Sequence, residues 1–552
     1  MRPLDKPETQ LAARLFSGAA IAVCLFGHLG AIGLVGPDEP RYAWIARAMA
    51  ETGDWVTPRL YGQPWFEKPV LYYWAAAVGF RLHVPDEWAA RLPSAFAALI
   101  AALAIGWLAR KHYNRDAGSL SDVALLAPLL FATSVAAIGF ARSASPDMLF
   151  SASITLAMAS ASEILRRGGA LRSPANESSR AALGDLALLA FFGAFLGLGV
   201  LAKGPAAVAL AGGGIGLWTL ATQKWRAAFR LAHPVAIGAF CLVALPWYVL
   251  CAVRNPDFLR IFLFQHNVER YLTPMFQHRQ PFWYFGPIVV LALVPWTTLL
   301  WPAAQEGMRT WRENSWRDSP GFLFACWAAF PVVFFSFSQS KLPGYVLPAI
   351  PPLALLCAVS ATRALDAARF RTRLIFASIG LLWLPLGILA WRYASRAPFE
   401  VAGPLSKYAT AMSLIAAVLI PLAAILISRY RNPSLVVALC ALSVCVTIEL
   451  VSLSVLPVVD GLFSARAHAV FVRNDQHPDR IFAYQLQRKW NYGLAFYFRR
   501  ELPEWSPSDP EAALVLTTPA GLAQIRKLGR IQERLDEPYA EILYVPVRRE
   551  PR

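Results

Sequence analysis

The chain has 552 residues, 57% of them hydrophobic and only 16% charged, with 19 Trp and 33 Phe. A soluble protein of this length divides into several domains and needs more charge to cover them, so the composition excludes a soluble class. The net charge of +17 is read first as the basic inner loops of a membrane protein, and no nucleic-acid partner is expected.

Apolar runs of about 20 residues, enough to cross a hydrocarbon core of roughly 30 Å, recur along most of the chain. They predict about thirteen spans, at 15–35, 92–110, 122–141, 145–165, 185–202, 205–222, 232–252, 284–304, 319–338, 344–362, 374–391, 409–428 and 433–456. The first is too long for a signal-peptide core and is followed by Gly-Pro-Asp-Glu, so a retained anchor is expected. With the N-terminus inside, every predicted inner connection is basic, from Arg110, Lys111 and Arg115 through Lys224, Arg226 and Arg230 to Arg429 and Arg431. An odd number of spans places the tail from residue 457 outside. The segment 66–82, "FEKPVLYYWAAAVGFRL", is apolar but short. Counting it as a span would break the charge pattern, so it is expected to lie as an amphipathic segment on the outer surface.

The seven cysteines all fall inside predicted spans, where they are small packing residues and not disulfide partners. No CxxC, HExxH, GxGxxG or Walker loop occurs, so zinc-protease and soluble-nucleotide readings have no support.

Beyond the basic inner connections, the charge that remains is concentrated in the outer ones. The longest, 36–91, holds Asp38, Glu39, Arg41, Asp54, Arg59, Glu67 and Lys68, with Tyr42 beside the acidic pair. The next reads "ARSASPDMLF", with Arg142 and Asp147. A third, "LAKGP", sets Lys203 in an otherwise apolar hairpin with no acid nearby in sequence. The connection 254–283 contains "FQHNVERY" and "QHRQPFWYF", which bring His266, Glu269, Arg270, His278 and Arg279 among aromatics. Last comes "SQSKLPGYVLP", with Lys341 and Tyr345. Each alone has a plain reading: Arg41 can snorkel to the interface, and Glu67 beside Lys68 can be a surface pair worth ~0–1 kcal/mol. Together, cations and aromatics at one set of mouths suit a phosphorylated lipid, with carboxylates serving the reacting group.

These loops carry a resemblance. The stretch "PDEPRYAWIARAMAETGDWVTPRLYGQPWFEKP" closely resembles the aminoarabinose transferases of lipid A, within the C-type (GT-C) membrane glycosyltransferases that use polyprenyl-phosphate sugars. "QHRQPFWYF" and "SKLPGYVLP" are similar to later loops of the same family. The chain departs from it at Gly344 and Pro40, where many members have Thr; neither change removes an ionisable group. The resemblance implies an α-helical integral membrane protein with a GT-C fold. It implies transfer of 4-amino-4-deoxy-L-arabinose from undecaprenyl phosphate onto lipid A phosphates, a lipopolysaccharide modification that gives polymyxin resistance. The reaction would run at the periplasmic face of a bacterial inner membrane. It implies as partners the lipid-linked donor, lipid A and membrane lipids; a monomer is expected.

Under that reading Asp38 and Asp147 are the candidate catalytic carboxylates. Arg41, Tyr42, Lys68, Lys203, Arg270, Lys341 and Tyr345 are candidates for holding the donor and its phosphate. The resemblance also raises a divalent ion, zinc among the choices, with Glu67 and His266 as ligands, although no spacing in the sequence demands one. The expected division is a transmembrane catalytic domain, 1–456, and a periplasmic α/β domain, 457–552. In the latter, "RIFAYQLQ", "GLAFYFRR", "AALVLTT" and "EILYVPV" read as strands and "TPAGLAQIRKLGR" as a helix. Two other functions fit less well. A related enzyme acting on protein or glycan is opposed by the first-loop resemblance. A lipid-phosphate transporter would place ionisable groups at mid-membrane and often shows repeated halves.

Overall fold

The computed structural model describes residues 7–113, 122–168, 179–272, 280–366, 433–475, 480–506, 513–528 and 542–547, with scattered positions between 387 and 422 and residue 508. Its N-terminal half runs α1 (Pro7–Phe26), α2 (Asp38–Thr52), a short hairpin of β1 (Arg59–Leu60) and β2 (Gln63–Pro64), α3 (Leu71–Arg81), α4 (Asp86–His112), α5 (Val123–Ala132), α6 (Val135–Ala141), α7 (Asp147–Gly168), α8 (Ser179–Lys203) and α9 (Ala206–Thr222).

Among the described residues six helices are long and apolar enough to cross a membrane, or up to eight if each of two bent pairs is one span. The expected spans 374–391 and 409–428 lie largely outside the described residues. The α7 helix is central: 94% of its apolar window is buried within the protein, against 22% for Pro234–Arg254, which is left to face lipid. Small residues let its neighbours approach closely. Two of its buried hydroxyls return to its own backbone, Ser153 to Leu149 O and Thr155 to Ser151 O, both at 2.8 Å, which satisfies them without water.

Several boundaries differ from the sequence reading, each for a visible reason. The first apolar run is not helical to residue 35; the helix ends at Phe26. Beyond it His28 takes φ +52, and the buried Arg91 guanidinium binds the carbonyls of Leu29 at 2.6 Å and of Ile32 and Gly33 at 2.8 Å. Carbonyls held by a side chain cannot continue a helical ladder. The run 122–141 is broken into α5 and α6, bent by 61°, because the Thr133 and Ser134 hydroxyls donate to Leu129 O and Phe131 O and Ser134 caps α6. A second break, of 108°, separates Phe282–Ala292 from Trp296–Arg312. Segment 66–82 forms the 11-residue α3, about 17 Å long and too short to cross. One face of α3 is packed inside the protein, with Tyr72 donating to Ala90 O at 2.7 Å.

The C-terminal segment has a three-stranded sheet of β3 (Ile481–Tyr484), β4 (Ala513–Thr517) and β5 (Leu543–Val547), the first pair parallel and the second antiparallel. The helix expected near 518–530 is Pro519–Lys527, capped by the Thr518 hydroxyl. "GLAFYFRR" is not a strand: it lies in and just after the helix Arg488–Phe498, which buries Trp490 and Leu494 on one face. The spacing of four between them is helical, and the quoted stretch alone does not show it because Trp490 lies upstream. The segment docks on the first loop. The Tyr497 hydroxyl accepts from Leu34 N at 2.8 Å and donates to Glu87 at 2.9 Å. Asp460 accepts from Gly33 N at 2.8 Å and from Arg466 at 2.9 Å.

Candidate active site

Asp38 and Glu39 begin α2, where the exposed amide dipoles favour acids. One helical step apart, they point to different places. Asp38 is the freer, its side chain 61% exposed, with one oxygen 2.5 Å from Arg41 Nη2. Arg41 also pairs with Glu67 at 2.9 Å, and Glu67 reaches Lys68 at 3.3 Å. The Arg41 guanidinium lies 5.3 Å from the Tyr42 ring and 5.5 Å from that of Trp65. Burial works against its charge, but Glu67, Tyr42 and Asp38 outweigh it and hold the group firmly cationic. Burial, and then the Glu67 and Asp38 carboxylates, push the Tyr42 phenol well above its ordinary value, so it stays a neutral donor.

Glu39 is buried and saturated. Its oxygens accept from Val35 N at 2.8 Å, Ala144 N at 2.7 Å and Arg91 Nη2 at 2.7 Å. It ties α2 to α4 and to the 142–146 turn that delivers Asp147. Nothing in the sequence distinguished its role from that of Asp38, and the Arg91 partnership was missed altogether.

Asp147 is the first residue of α7, and its carboxylate accepts from Lys203 Nζ. The cation that had no acid near it in sequence finds one across the fold. Lys203 is projected by a tight turn in which Gly204 has φ +99, a conformation only glycine takes readily. Its ammonium lies 5.0 Å from the Tyr345 ring and 5.6 Å from that of Phe150. Gly344 packs on the same acid: a Cβ there would sit 2.9 Å from the Phe140 ring and 3.4 Å from Asp147 Cγ.

These elements surround one cavity of about 620 Å³, lined among others by Asp38, Tyr42, Glu67, Lys68, Asp147 and Lys203, with His266 and Tyr345 on the same wall. Phe140, Phe150, Phe334 and Phe335 make it largely apolar between the charges. Three expected residues stand differently. Arg41 lies behind the wall, holding Asp38 and Glu67. Lys341 is buried beside the cavity and donates to Ser338 O at 2.6 Å, with burial lowering its pKa. The side chain of Arg270 lies outside the described residues, as do His278 and Arg279. Tyr271 and Ser143 also line the cavity; both lie within the loop stretches quoted above, where nothing singled them out from their neighbours.

The metal expectation fits poorly. Among the described residues no three His, Cys, Asp or Glu side chains converge to hold an ion. Glu67 already faces two cations, Arg41 and Lys68, which occupy the carboxylate a metal would need.

An apolar chamber lined by two cations, Lys68 and Lys203, and four carboxylates, Asp38, Glu39, Glu67 and Asp147, can hold a lipid-borne phosphate and place an acid beside its reacting carbon. A crystal structure of ArnT from Cupriavidus metallidurans bound to undecaprenyl phosphate superimposes with a TM-score of 0.78, at 24% identity, over 96% of this chain and 97% of that one. The chain is therefore a multi-pass membrane protein with the GT-C glycosyltransferase fold. The family described as dolichyl-phosphate-mannose-protein mannosyltransferase matches residues 19–262. Curated relatives carry the name undecaprenyl phosphate-alpha-4-amino-4-deoxy-L-arabinose arabinosyl transferase. One from Edwardsiella ictaluri is 33% identical over 322 residues, 58% of this chain and 54% of that one. Another, from Yersinia pestis, is 33% identical over 348 residues, 63% of this chain and 59% of that one. The chain thus matches a little over half the length of these relatives.

Proposed function

We propose that the protein transfers 4-amino-4-deoxy-L-arabinose from undecaprenyl phosphate to a phosphate of lipid A, at the periplasmic face of the bacterial inner membrane. The observation that carries this reading is the cavity itself: an exposed Asp38 carboxylate, held by Arg41, faces an apolar chamber shared with Lys68 and the Lys203–Asp147 pair. The names of the curated relatives support the same donor and sugar.

In this mechanism Lys68 and Lys203, with Arg270, next in sequence to the cavity-lining Tyr271, bind the donor phosphate, and Tyr42 donates to it as a neutral phenol. The Phe-rich wall and Tyr345 receive the prenyl chain and the sugar ring. An acceptor phosphate oxygen attacks the anomeric carbon, a new C–O bond forms on the opposite face, and configuration inverts. The bond to undecaprenyl phosphate breaks and its electron pair leaves on the phosphate, where the lysines neutralise it. An acceptor that is already an anion needs little general-base help. Asp38 therefore orients it, takes a remaining proton, or stabilises positive charge growing on the ring. Asp147 and Asp38 also offer counter-charges for the sugar amine. Arg41 positions Asp38 and Glu67, and Lys341 stiffens the 338–342 turn. Residues 1–456 form the catalytic domain, and 457–552 form a periplasmic domain that braces its first loop.

Mass spectrometry of lipid A from cells with and without the intact chain tests the proposal. Aminoarabinose additions should require the chain and disappear with Asp38→Asn. Modification of a protein or glycan with lipid A unchanged would replace the acceptor.

A further inference from the structure

A second large cavity, of about 970 Å³, lies at the other end of the same helices. The α7 helix runs from Asp147 in the candidate active site to Arg166 in this cavity, nineteen residues and so roughly 28 Å, one membrane core away. The α9 helix and helix Pro320–Ser336 also join the two: Ala206 and Phe335 line the first cavity, Gln223 and Pro320 the second.

Five cations line it, Lys111, Arg166, Lys224, Arg226 and Arg317, and Asp318 is the only acid among the lining residues. They come from four separate segments of chain. A topology signal needs basic residues on one side of the membrane. It does not need them to converge around a hollow with a buried floor, here made by Ser162, Leu165, Trp218 and Leu323. Lys224 pairs with Asp318 at 2.6 Å and Arg166 with Glu163, so the acid present offsets only part of the charge. Trp225, which lines the cavity, is 42% exposed and stacks at 6.3 Å on Phe229, itself 70% exposed. Such rings mark the level where headgroups meet hydrocarbon.

We infer that this inner cavity is a binding site for a phosphate anion, presented as the headgroup of an anionic phospholipid of the inner leaflet. The cations take the phosphate, and Trp225 and Phe229 receive the first methylenes of the acyl chains. The site is independent of the sugar-transfer reading and would stand if that reading failed.

Native mass spectrometry of the full chain in neutral detergent, titrated with phosphatidylglycerol or phosphatidylcholine, tests it, with inorganic phosphate as a second arm read by calorimetry. Each cation near a headgroup contributes roughly fivefold in affinity. The double variant Lys111→Gln, Arg226→Gln should therefore weaken phosphatidylglycerol binding at least tenfold and leave phosphatidylcholine unchanged. Asp318→Asn, which removes the acid and frees Lys224, should tighten it several-fold. Lys68→Ala, in the outer cavity, should not alter this component. A response with phosphatidylglycerol alone assigns a lipid headgroup, and one with inorganic phosphate alone assigns a soluble phosphate compound; either supports the phosphate site. If the double variant binds both probes as the parent does, or Asp318→Asn weakens binding, the inference is overturned.

Discussion

Two adjacent acids at the start of α2 do opposite jobs, and substitution should separate them. Asp38 is exposed to the cavity and bonded only to Arg41 among the described contacts. Asp38→Asn should leave folding and donor binding near normal while turnover falls ~10²-fold or more, the range for a positioned acid–base group. Glu39 is buried against Arg91 at 2.7 Å. Glu39→Gln leaves that guanidinium without its charge partner, and breaking a buried pair costs about 3–5 kcal/mol. Thermal unfolding in detergent should show a large drop in Tm for Glu39→Gln and little change for Asp38→Asn. The reverse order would mean that Glu39 faces the chemistry. At Lys68, Ala substitution removes a charge-assisted phosphate contact worth ~1.5–3 kcal/mol. Undecaprenyl phosphate binding should weaken by roughly ten- to a hundredfold; parent-like binding would move the phosphate elsewhere.

At the scale of elements, the site depends on turns that aim side chains across the cavity. The α8–α9 turn works because Gly204 sits at φ +99. Gly204→Ala should cost about 1–3 kcal/mol of backbone strain and pull Lys203 away from Asp147. Turnover should then fall with it, although no ionisable group has changed. Unaltered kinetics would show that the turn has slack. Gly344, where related sequences often carry Thr, is closed in by Phe140 at 2.9 Å. Gly344→Thr alone should lower Tm, and pairing it with Phe140→Leu should recover much of the loss, because the ring edge that meets the new Cβ is gone.

For the whole molecule, the docking of the C-terminal segment on the first loop through Tyr497, Asp460 and Arg466 requires both on one side of the membrane. Single cysteines at the exposed positions Gln63 and Arg500 should react with an impermeant reagent from outside intact cells, and one at Ser315 only after lysis. Protection of Arg500→Cys in intact cells would put the tail and the loop it braces inside, and would overturn the proposed orientation.

Composition and the spacing of apolar runs determined that the chain is a multi-spanning helical membrane protein, because crossing a hydrocarbon core imposes length and polarity locally. The residue types of the outer loops were equally legible, since ionisable groups among apolar runs stand out one by one. Which of them meet was not. Lys203 and Asp147 are 56 residues apart, and Glu39 and Arg91 are 52 apart; no local pattern links either pair. The early end of α1 and the break between α5 and α6 were hidden for a related reason. In each, a side chain competes for the backbone's hydrogen bonds, from α4 in the first case and from the run itself in the second. Hydropathy, which reports burial, carries no information about such competition. The helix at 488–498 was masked by aromatic residues that suit a strand, and only the core they pack against selected the helical period. Tertiary structure alone decided that, on one cavity wall, Asp38 is exposed and Glu39 is buried in hydrogen bonds, because neighbours along the chain share composition while the fold gives them different surroundings.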